Sequence, residues 1–165
     1  MQPAELQQTL AKLHLTARWS DATVGKLAAL LKPADFRQGG LIFSEGDDQP
    51  WLYLIVTGEV ALEMCVPARG CTRILTLGPG DLLAWSAVVG EGRMTATALA
   101  VTDVHTLGAL SRDVLALCDT DHQFGYEFMR ELAAALSKRL VATRLQLLDL
   151  YDVSGGRQVA GGPPF

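Results

Sequence analysis

The side chains best suited to recognise a ligand fall in one segment, GDLLAWSAVVGEGRMTATA, at positions 80–98. Arg93 carries a guanidinium suited to bidentate hydrogen bonds with an anion, and Trp85 offers a flat ring and an indole N–H donor. Thr95 and Thr97 alternate with alanines, so one face of that stretch is polar and suited to line a cavity. The same residues also fit a packed aromatic, a solvated arginine and a half-exposed strand, so the segment is a candidate site.

Catalytic and metal-binding patterns are otherwise scarce. The three histidines lie far apart, without the His-x-His spacing that a β-barrel metal enzyme needs for convergent ligands. The odd number of cysteines, without Cys-x-x-Cys spacing, is typical of reduced thiols, so we expect neither a disulfide nor a metal site. No Ser-His-Asp order, P-loop or dinucleotide-binding turn has the right flanks, so no catalytic residue and no enzyme is predicted. These histidines and cysteines are His14, His105, His122, Cys65, Cys71 and Cys118.

Composition and charge exclude several classes of protein. The chain has 165 residues, a formal net charge of -4 and 49% hydrophobic residues, which indicates one ordinary domain. It lacks the clustered excess of Lys and Arg that an independent nucleic-acid binder needs, and no apolar run is long enough to cross a bilayer. The N-terminus lacks the basic start and apolar stretch of a secretory signal, so we expect a soluble, cytoplasmic protein.

Turn signals and apolar periodicity predict short helices followed by a β-rich middle. The stretch SDATVGKLAALLKP predicts a helix capped by Ser20 and ended at Pro33, and AELQQTLAKLHL before it predicts one or two more helical turns. From about residue 36 to 110, short apolar or alternating runs separated by turn residues predict an antiparallel sandwich or barrel. Thr57-Gly58 is predicted to form a two-residue hairpin turn.

Helical character returns after the β-rich middle. Ser111 is predicted to cap a short helix, and Thr120 with Gln123 predicts a capping box for a helix that reaches about Tyr151. Its apolar positions form two stripes over roughly 45 Å, so we expect one stripe to pack on the β domain and the other to form a dimer. The alternative is one broad stripe packed on its own domain. The predicted dimer-interface residues are Met129, Leu132, Leu136, Leu140 and Leu147.

The elements predict a single folded unit over residues 1–151. Within it, residues 34–110 form the β part and residues 111–151 the C-terminal helices. The remaining segment, 152–165, has the Gly and Pro content of a disordered tail.

The order of these elements resembles the cyclic-nucleotide-binding domain, in particular the sensor half of bacterial Crp/Fnr-type regulators. LIFSEGD resembles the family's opening strand and Glu-Gly-Asp turn, WLYLIVTGEVAL its central hairpin, and LGPGDLLAWSAVV the start of its phosphate-binding cassette. The resemblance covers about residues 10–150. It implies a mainly β fold with flanking helices: a β-roll or jelly-roll (double-stranded β-helix), short N-terminal helices and one long C-terminal helix.

In family members that bind cyclic AMP or cyclic GMP, a Gly-Glu pair begins the cassette, and an Arg followed by Ser or Thr and then Ala holds the cyclic phosphate. The resemblance places Ala84-Trp85 on Gly-Glu and Met94-Thr95-Ala96 on the Arg motif, so both charged contacts are missing. Such hydrogen bonds contribute roughly 1.5 to 3 kcal/mol each, and losing two weakens binding by about two to four orders of magnitude. The residues assigned to the ligand pocket are Leu83, Ala84, Trp85, Ser86, Arg93, Met94, Thr95 and Ala96.

Three functions are compatible with this pattern. The first is a stand-alone sensor domain with degenerate cyclic-nucleotide contacts that signals through its long helix. The second is a genuine receptor in which a one-residue shift of the loop Gly90-Glu91-Gly92 brings Arg93 into the pocket. The third is a ligand-free, dimeric interaction module in which the Trp85 ring fills the ribose space.

The expected partners follow from the same resemblance. Crp/Fnr regulators usually continue after the long helix into a winged helix-turn-helix, for which no room follows Tyr151. We therefore expect no direct DNA binding and no membrane binding. The expected partners are a second copy of the chain and a small ligand, either a cyclic nucleotide or another compound. The downstream protein partner and any further cofactor are not indicated.

Overall fold

The computed structural model describes the backbone of residues 3–66, 70–90 and 92–155, and the side chains of residues 5–65, 70–90 and 92–145. Within these ranges, two helices precede eight strands and two helices follow them. The helices are α1 (Pro3–Ala11), α2 (Asp21–Leu30), α3 (Ser111–Thr120) and α4 (His122–Gly155). The strands are β1 (Lys32–Phe36), β2 (Leu41–Phe43), β3 (Trp51–Thr57), β4 (Val60–Val66), β5 (Gly70–Leu77), β6 (Leu82–Leu83), β7 (Thr97–Ala100) and β8 (Val104–Leu110).

The strands form two antiparallel sheets, with the orders β1-β8-β3-β6 and β2-β7-β4-β5. Successive side chains of a strand point to opposite faces, and β3 uses both faces. Leu52 and Leu54 pack with the helices in what we call the helix-side core, whereas Tyr53 and Ile55 pack between the sheets in the roll core. The mainly β architecture with flanking helices, predicted from the sequence, is confirmed.

The predicted hairpin turn at Thr57-Gly58 is wrong. β3 and β4 belong to different sheets, so Gly58 and Glu59 turn the chain from one sheet to the other. Gly58 has a φ of +89°, and a Cβ there would overlap the carbonyl oxygen of Asp103 and lie 2.9 Å from the Cα of Val104. Apolar periodicity shows that a segment is a strand, but it carries no information on which neighbour the strand pairs with.

The ends of the first helices follow the sequence signals only in part. Ser20 caps α2 as predicted, since its hydroxyl accepts a hydrogen bond from the Thr23 N–H at 3.2 Å. The helix ends at Leu30, and Pro33 belongs to β1. Ser111 is not a cap: it is the first residue of α3, which begins without a side-chain cap.

Asp121, and not Thr120, caps α4. Its carboxylate accepts a hydrogen bond from the Phe124 N–H at 3.0 Å. The side-chain hydrogen bond from Lys26, followed by that from Phe124, lowers the pKa of the Asp121 carboxyl. Thr120 instead donates to the carbonyl of Ala116 at 2.9 Å, because it is still part of α3. The predicted capping box is therefore wrong by one residue.

The first half of α4 packs tightly on the rest of the domain. Phe124, Phe128 and Leu132 are at most 2% exposed and belong to the helix-side core. A Cβ at Gly125 would lie 2.8 Å from the carbonyl oxygen of Cys118 and 3.2 Å from its Cα. The backbones of α3 and α4 are thus in direct contact at this glycine.

α4 is long, and its side chains become exposed from residue 143 to 145. The helix contains 34 residues, which at 1.5 Å each gives about 51 Å. It ends at Gly155, so residues 152–155, predicted to start a disordered tail, are helical. The rest of that predicted tail, residues 156–165, lies outside the described residues.

Two of the cysteines contradict the expectation of reduced thiols. Cys65 on β4 and Cys71 on β5 face each other in the strand register and form a disulfide, while Cys118 is free. The spacing between them predicted nothing, because neighbouring strands bring together residues that no Cys-x-x-Cys motif relates. No helix among the described residues is long and apolar enough to cross a membrane.

The turn between the sheets generates a test with a matched control. Gly58→Ala is expected to lower the free energy of unfolding by about 3 kcal/mol or more, since it adds a clash with backbone to the strain of a positive φ. Gly39→Ala is expected to cost only about 1 kcal/mol, because Gly39 has a φ of +78° and open space at its Cβ position. Urea unfolding of both variants measures the difference. Equal losses would contradict the inferred contact with Asp103.

Candidate functional site

Seven of the eight residues assigned to the ligand pocket line one recess at the edge of the roll core. The recess lies where β6 and the 3-10 turn Trp85–Ala87 approach the segment before β7. Arg93 is absent from its lining. The lining residues are Phe43, Leu62, Leu83, Ala84, Trp85, Ser86, Met94, Thr95, Ala96 and Arg139.

The backbone at the start of the cassette has an unusual conformation. Ala84 has a φ of +62° and a ψ of 35°. Among the residues that the structure describes, it is the one residue other than glycine with a positive φ. A left-handed residue costs roughly 1–2 kcal/mol unless it is glycine, the residue that the family pattern has at this position. Ala84 therefore adopts a backbone conformation that a glycine would adopt without strain.

Trp85 is the residue that the resemblance places at the family's glutamate. Its side chain is half-buried, borders the recess and packs against the helix-side core. An indole cannot accept the hydrogen bond of a ribose hydroxyl, since its nitrogen is a donor only. The ring thus lies between the recess and the helices, and it does not supply the hydrogen-bond acceptor that a carboxylate would.

Met94 is the residue that the resemblance places at the family's phosphate-binding arginine. It is 3% exposed and belongs to the roll core. Backbone hydrogen bonds fix its register, since its N–H donates to the Asp47 carbonyl at 2.9 Å and its carbonyl accepts from the Gly46 N–H at 2.8 Å. Arg93, the preceding residue, is exposed, and its backbone pairs with Asp48 in an isolated β-bridge. A one-residue shift of Arg93 into the recess would break these contacts.

The two threonines of the cassette have different surroundings. Thr95 is exposed and lines the recess, as assigned. Thr97 lies at the start of β7, and its hydroxyl accepts a hydrogen bond from the Glu45 N–H at 3.0 Å. Its polarity therefore serves the turn after β2, and the recess has one cassette threonine instead of two.

The recess is small. Its volume is about 20 Å³, enough for roughly one water molecule. Pockets that hold nucleotide-sized ligands measure roughly 300 to 1,000 Å³. Phe43 and Met94, both at most 5% exposed, fill much of the space that such a ligand would need.

The sequence analysis missed three lining residues, Phe43, Leu62 and Arg139, and Arg139 is the charged one. It comes from α4, and its guanidinium donates a hydrogen bond to the carbonyl of Leu82 at the start of β6. Burial lowers the pKa of this guanidinium, and the negative charge of Asp81 partly opposes the shift. A signal existed, because Arg139 continues the i, i+4, i+7 spacing of Leu132 and Leu136 on the stripe that faces the domain.

The residues assigned to a dimer interface divide into two groups. Leu132 is 2% exposed and belongs to the core of its own domain, and Met129 and Leu136 pack against the same core. Leu140 is 52% exposed. The side chain of Leu147 lies outside the described residues. Val141 and Leu145, which were not assigned, are 52% and 57% exposed, so the free apolar surface lies further along α4.

The histidines serve local contacts. Nδ1 of His105 lies 2.9 Å from the Asp35 carboxylate at an exposed position, and Nε2 of His14 lies 3.9 Å from that of Asp81. Within the part of the chain that the structure describes, no group of three or more His, Cys, Asp or Glu residues is placed to hold a metal ion.

Comparison with known sequences agrees with this geometry. The family model of the cyclic nucleotide-binding domain matches residues 33–121, more than half of the chain. The CRP-like cAMP-activated global transcriptional regulator of Mycobacterium tuberculosis is 27% identical over 152 residues, which are 91% of this chain and 66% of the regulator. The cyclic AMP receptor protein of Thermus thermophilus is 33% identical over 122 residues, 74% of this chain and 54% of the receptor. The chain thus spans about half to two thirds of these relatives.

Comparison with solved structures gives the same architecture. A cyclic nucleotide-binding domain from Methylobacillus flagellatus matches with a TM-score of 0.77 at 18% identity, over 96% of this chain and 85% of that one. At that identity the match shows the fold. Together with the family model over residues 33–121, the two sheets, the cassette turn and the long α4 show that this chain belongs to the cyclic nucleotide-binding domain family.

Proposed function

We propose that this chain is a non-enzymatic regulatory domain that does not hold cyclic AMP or cyclic GMP by the charged contacts typical of its family. The observation that carries the proposal is the buried Met94 at the position of the phosphate-binding arginine. A cyclic phosphate keeps its negative charge, and Met94 offers it no cationic partner. The guanidinium that borders the recess, that of Arg139, already donates to the Leu82 carbonyl. The relatives are named as a transcriptional regulator and a receptor, which supports a regulatory role without catalysis.

The geometry argues against the receptor alternative that uses Arg93. Bringing this side chain into the recess would require the bonds between Met94 and the turn at Gly46-Asp47 to break. The Met94 side chain would also have to leave the roll core. The names of the relatives favour this alternative, since both mention cyclic AMP.

The closed recess favours a second candidate function, a ligand-free interaction module. A volume of about 20 Å³ leaves no room for a nucleotide unless Trp85 or Met94 moves. In both candidates the output passes through α4, which contacts the domain along its first half and extends beyond it. A ligand at Trp85 would act on α4 through the helix-side core, on which both pack.

Calorimetric titration tests the missing charges. The wild-type protein is expected to show no saturable binding of cyclic AMP or cyclic GMP up to about 100 μM, because two charged contacts are absent. The triple variant Ala84→Gly, Trp85→Glu, Met94→Arg is expected to bind cyclic AMP at least tenfold more tightly than the wild type. The matched variant Ala84→Gly, Trp85→Gln, Met94→Gln opens similar space without the charges and is expected not to bind.

Binding of cyclic AMP by the wild type tighter than about 10 μM would overturn the proposal. In that case Arg93→Ala decides what replaces it. Loss of binding in this variant would establish the receptor that uses Arg93, and unchanged binding would point to another cation of the recess.

We also propose that the exposed apolar surface of α4 forms a homodimer. Leu140, Val141 and Leu145 lie within about 140° of one another around the helix axis and are each more than half exposed. A helix with apolar residues on a second face is typically buried on that face. The net charge of -4 gives no basis for direct DNA binding by the residues present, so the signal would pass to a partner protein.

Light scattering tests the dimer. The wild type at micromolar concentration is expected to have twice the chain mass of 17.7 kDa, and the double variant Leu140→Glu, Leu145→Glu the mass of one chain, because two carboxylates would be buried on each side. Gln8→Glu serves as a control, since Gln8 is exposed on α1 and the variant adds a carboxylate away from α4. A monomeric wild type would contradict the interface.

A further inference from the structure

A second cavity lies on α4, next to the recess. It has a volume of about 120 Å³ and is bounded by the end of β5, the turn that leads to β6, the segment after α1 and the middle of α4. Arg139 borders both this cavity and the recess, and the two linings have no other residue in common. The residues of what we call the α4 cavity are His14, Leu75, Thr76, Leu77, Asp81, Ala135, Lys138, Arg139 and Ala142.

The polar groups of the α4 cavity are mainly cationic or hydrogen-bond donors. Lys138 and Arg139 supply two positive charges, and Thr76 supplies a hydroxyl. Asp81 is the acidic residue of the lining, and one of its oxygens already accepts a hydrogen bond from the Gly78 N–H at 2.9 Å. The imidazole of His14 lies 3.9 Å from the other oxygen. The cavity therefore has an excess of positive charge.

The guanidinium of Arg139 is incompletely satisfied. A guanidinium has five N–H donors, and among the described residues the Leu82 carbonyl is its hydrogen-bond acceptor. It forms no ion pair with a described carboxylate. Burial lowers the pKa of Arg139 because the charged form loses hydration, and the negative charge of Asp81 partly opposes this shift. Arg139 is only half-buried, so its remaining donors are open to a ligand in the cavity. An anion in the cavity would provide the missing partner.

The position of His14 at the mouth of the cavity is fixed by a glycine. Gly80 has a φ of +88°, and a Cβ there would overlap the imidazole of His14. The ring thus lies directly on the Gly80 backbone, and its place beside Asp81 is part of the fold. His14 borders one side of the cavity, and Ala135 and Ala142 of α4 border it as well.

We propose that the α4 cavity binds a small oxyanion, of the size of phosphate or a short dicarboxylate, through Arg139 and Lys138. The planar fork of Arg139 matches two oxygens of such an anion, and Lys138 adds a point charge. The volume of about 120 Å³ accommodates a small anion. This site does not depend on the proposed function of the recess. An anion bound here would join α4 to β5 and to the segment after α1.

Thermal unfolding with inorganic phosphate tests the site. At pH 7.5 and constant ionic strength, balanced with NaCl, phosphate is expected to raise the unfolding temperature of the wild type saturably. Arg139→Gln is expected to weaken the apparent affinity at least tenfold, and Lys138→Gln severalfold. Arg144→Gln removes the same charge from an exposed position of α4 and is expected to leave the affinity unchanged. A parallel titration with succinate distinguishes a phosphate site from a carboxylate site.

A temperature shift that is equal in Arg139→Gln and Arg144→Gln, or absent with both anions, would overturn the proposal. If Arg139→Gln fails to fold, amide chemical shifts of the wild type decide. Phosphate is expected to move the signals of Thr76, Leu77 and Lys138. Movement confined to Ser86 and Thr95 would refute the α4 cavity and place the anion in the recess. Because Arg139 borders both cavities, Lys138→Gln, which touches the α4 cavity and not the recess, separates this proposal from the outcome with cyclic AMP.

Discussion

The packing of α4 against the helix-side core is the interaction on which the rest of the structure depends. The rings of Phe124 and Phe128 stack with centroids 5.8 Å apart, and Trp19 meets Phe124 edge-on at 5.9 Å. All three side chains are buried with Leu52 and Leu54 of β3. This apolar contact sets the rotation of α4 about its axis. The rotation in turn decides that Arg139 faces the domain and that Leu140, Val141 and Leu145 face away from it.

The sequence predicted the fold well because the fold depends on patterns that repeat along the chain. Short alternating runs, turn glycines and the apolar stripe at Phe124, Phe128 and Leu132 each identify an element. The errors lie where one residue or one pairing decides. Thr120 and Asp121 are both acceptable caps, and only the end of α3 selects between them. The disulfide between Cys65 and Cys71 and the change of sheet at Gly58 depend on strand pairing, which periodicity does not determine.

The candidate site was predicted in part. The cassette residues from Leu83 to Ser86 and from Met94 to Ala96 are contiguous in sequence, so one resemblance locates all of them. Arg93 lies outside the recess because its neighbour takes the inward position, a choice that alternation alone leaves open. Arg139 was missed because it is more than 40 residues away in the chain, on an element considered only for its apolar residues. Contacts between distant segments are the part of a site that a linear pattern does not contain.

The cassette combines a strained backbone with apolar side chains. Ala84 has a left-handed backbone that a glycine would adopt without strain, and Met94 is buried in the roll core. The turn at Ala84 leads the chain from β6 into the 3-10 turn Trp85–Ala87, so its conformation places the Trp85 side chain between the recess and the helices.

The direct contact between the backbones of Gly125 and Cys118 restricts how α4 can move. Two helices separated by side chains can roll over each other as those side chains change rotamer, but two backbones in contact cannot. The beginning of α4 is thus held in position by its backbone contact with α3. A small rotation of α4 about this contact would displace the far end of the helix, about 45 Å away, several times more than the residues next to the contact.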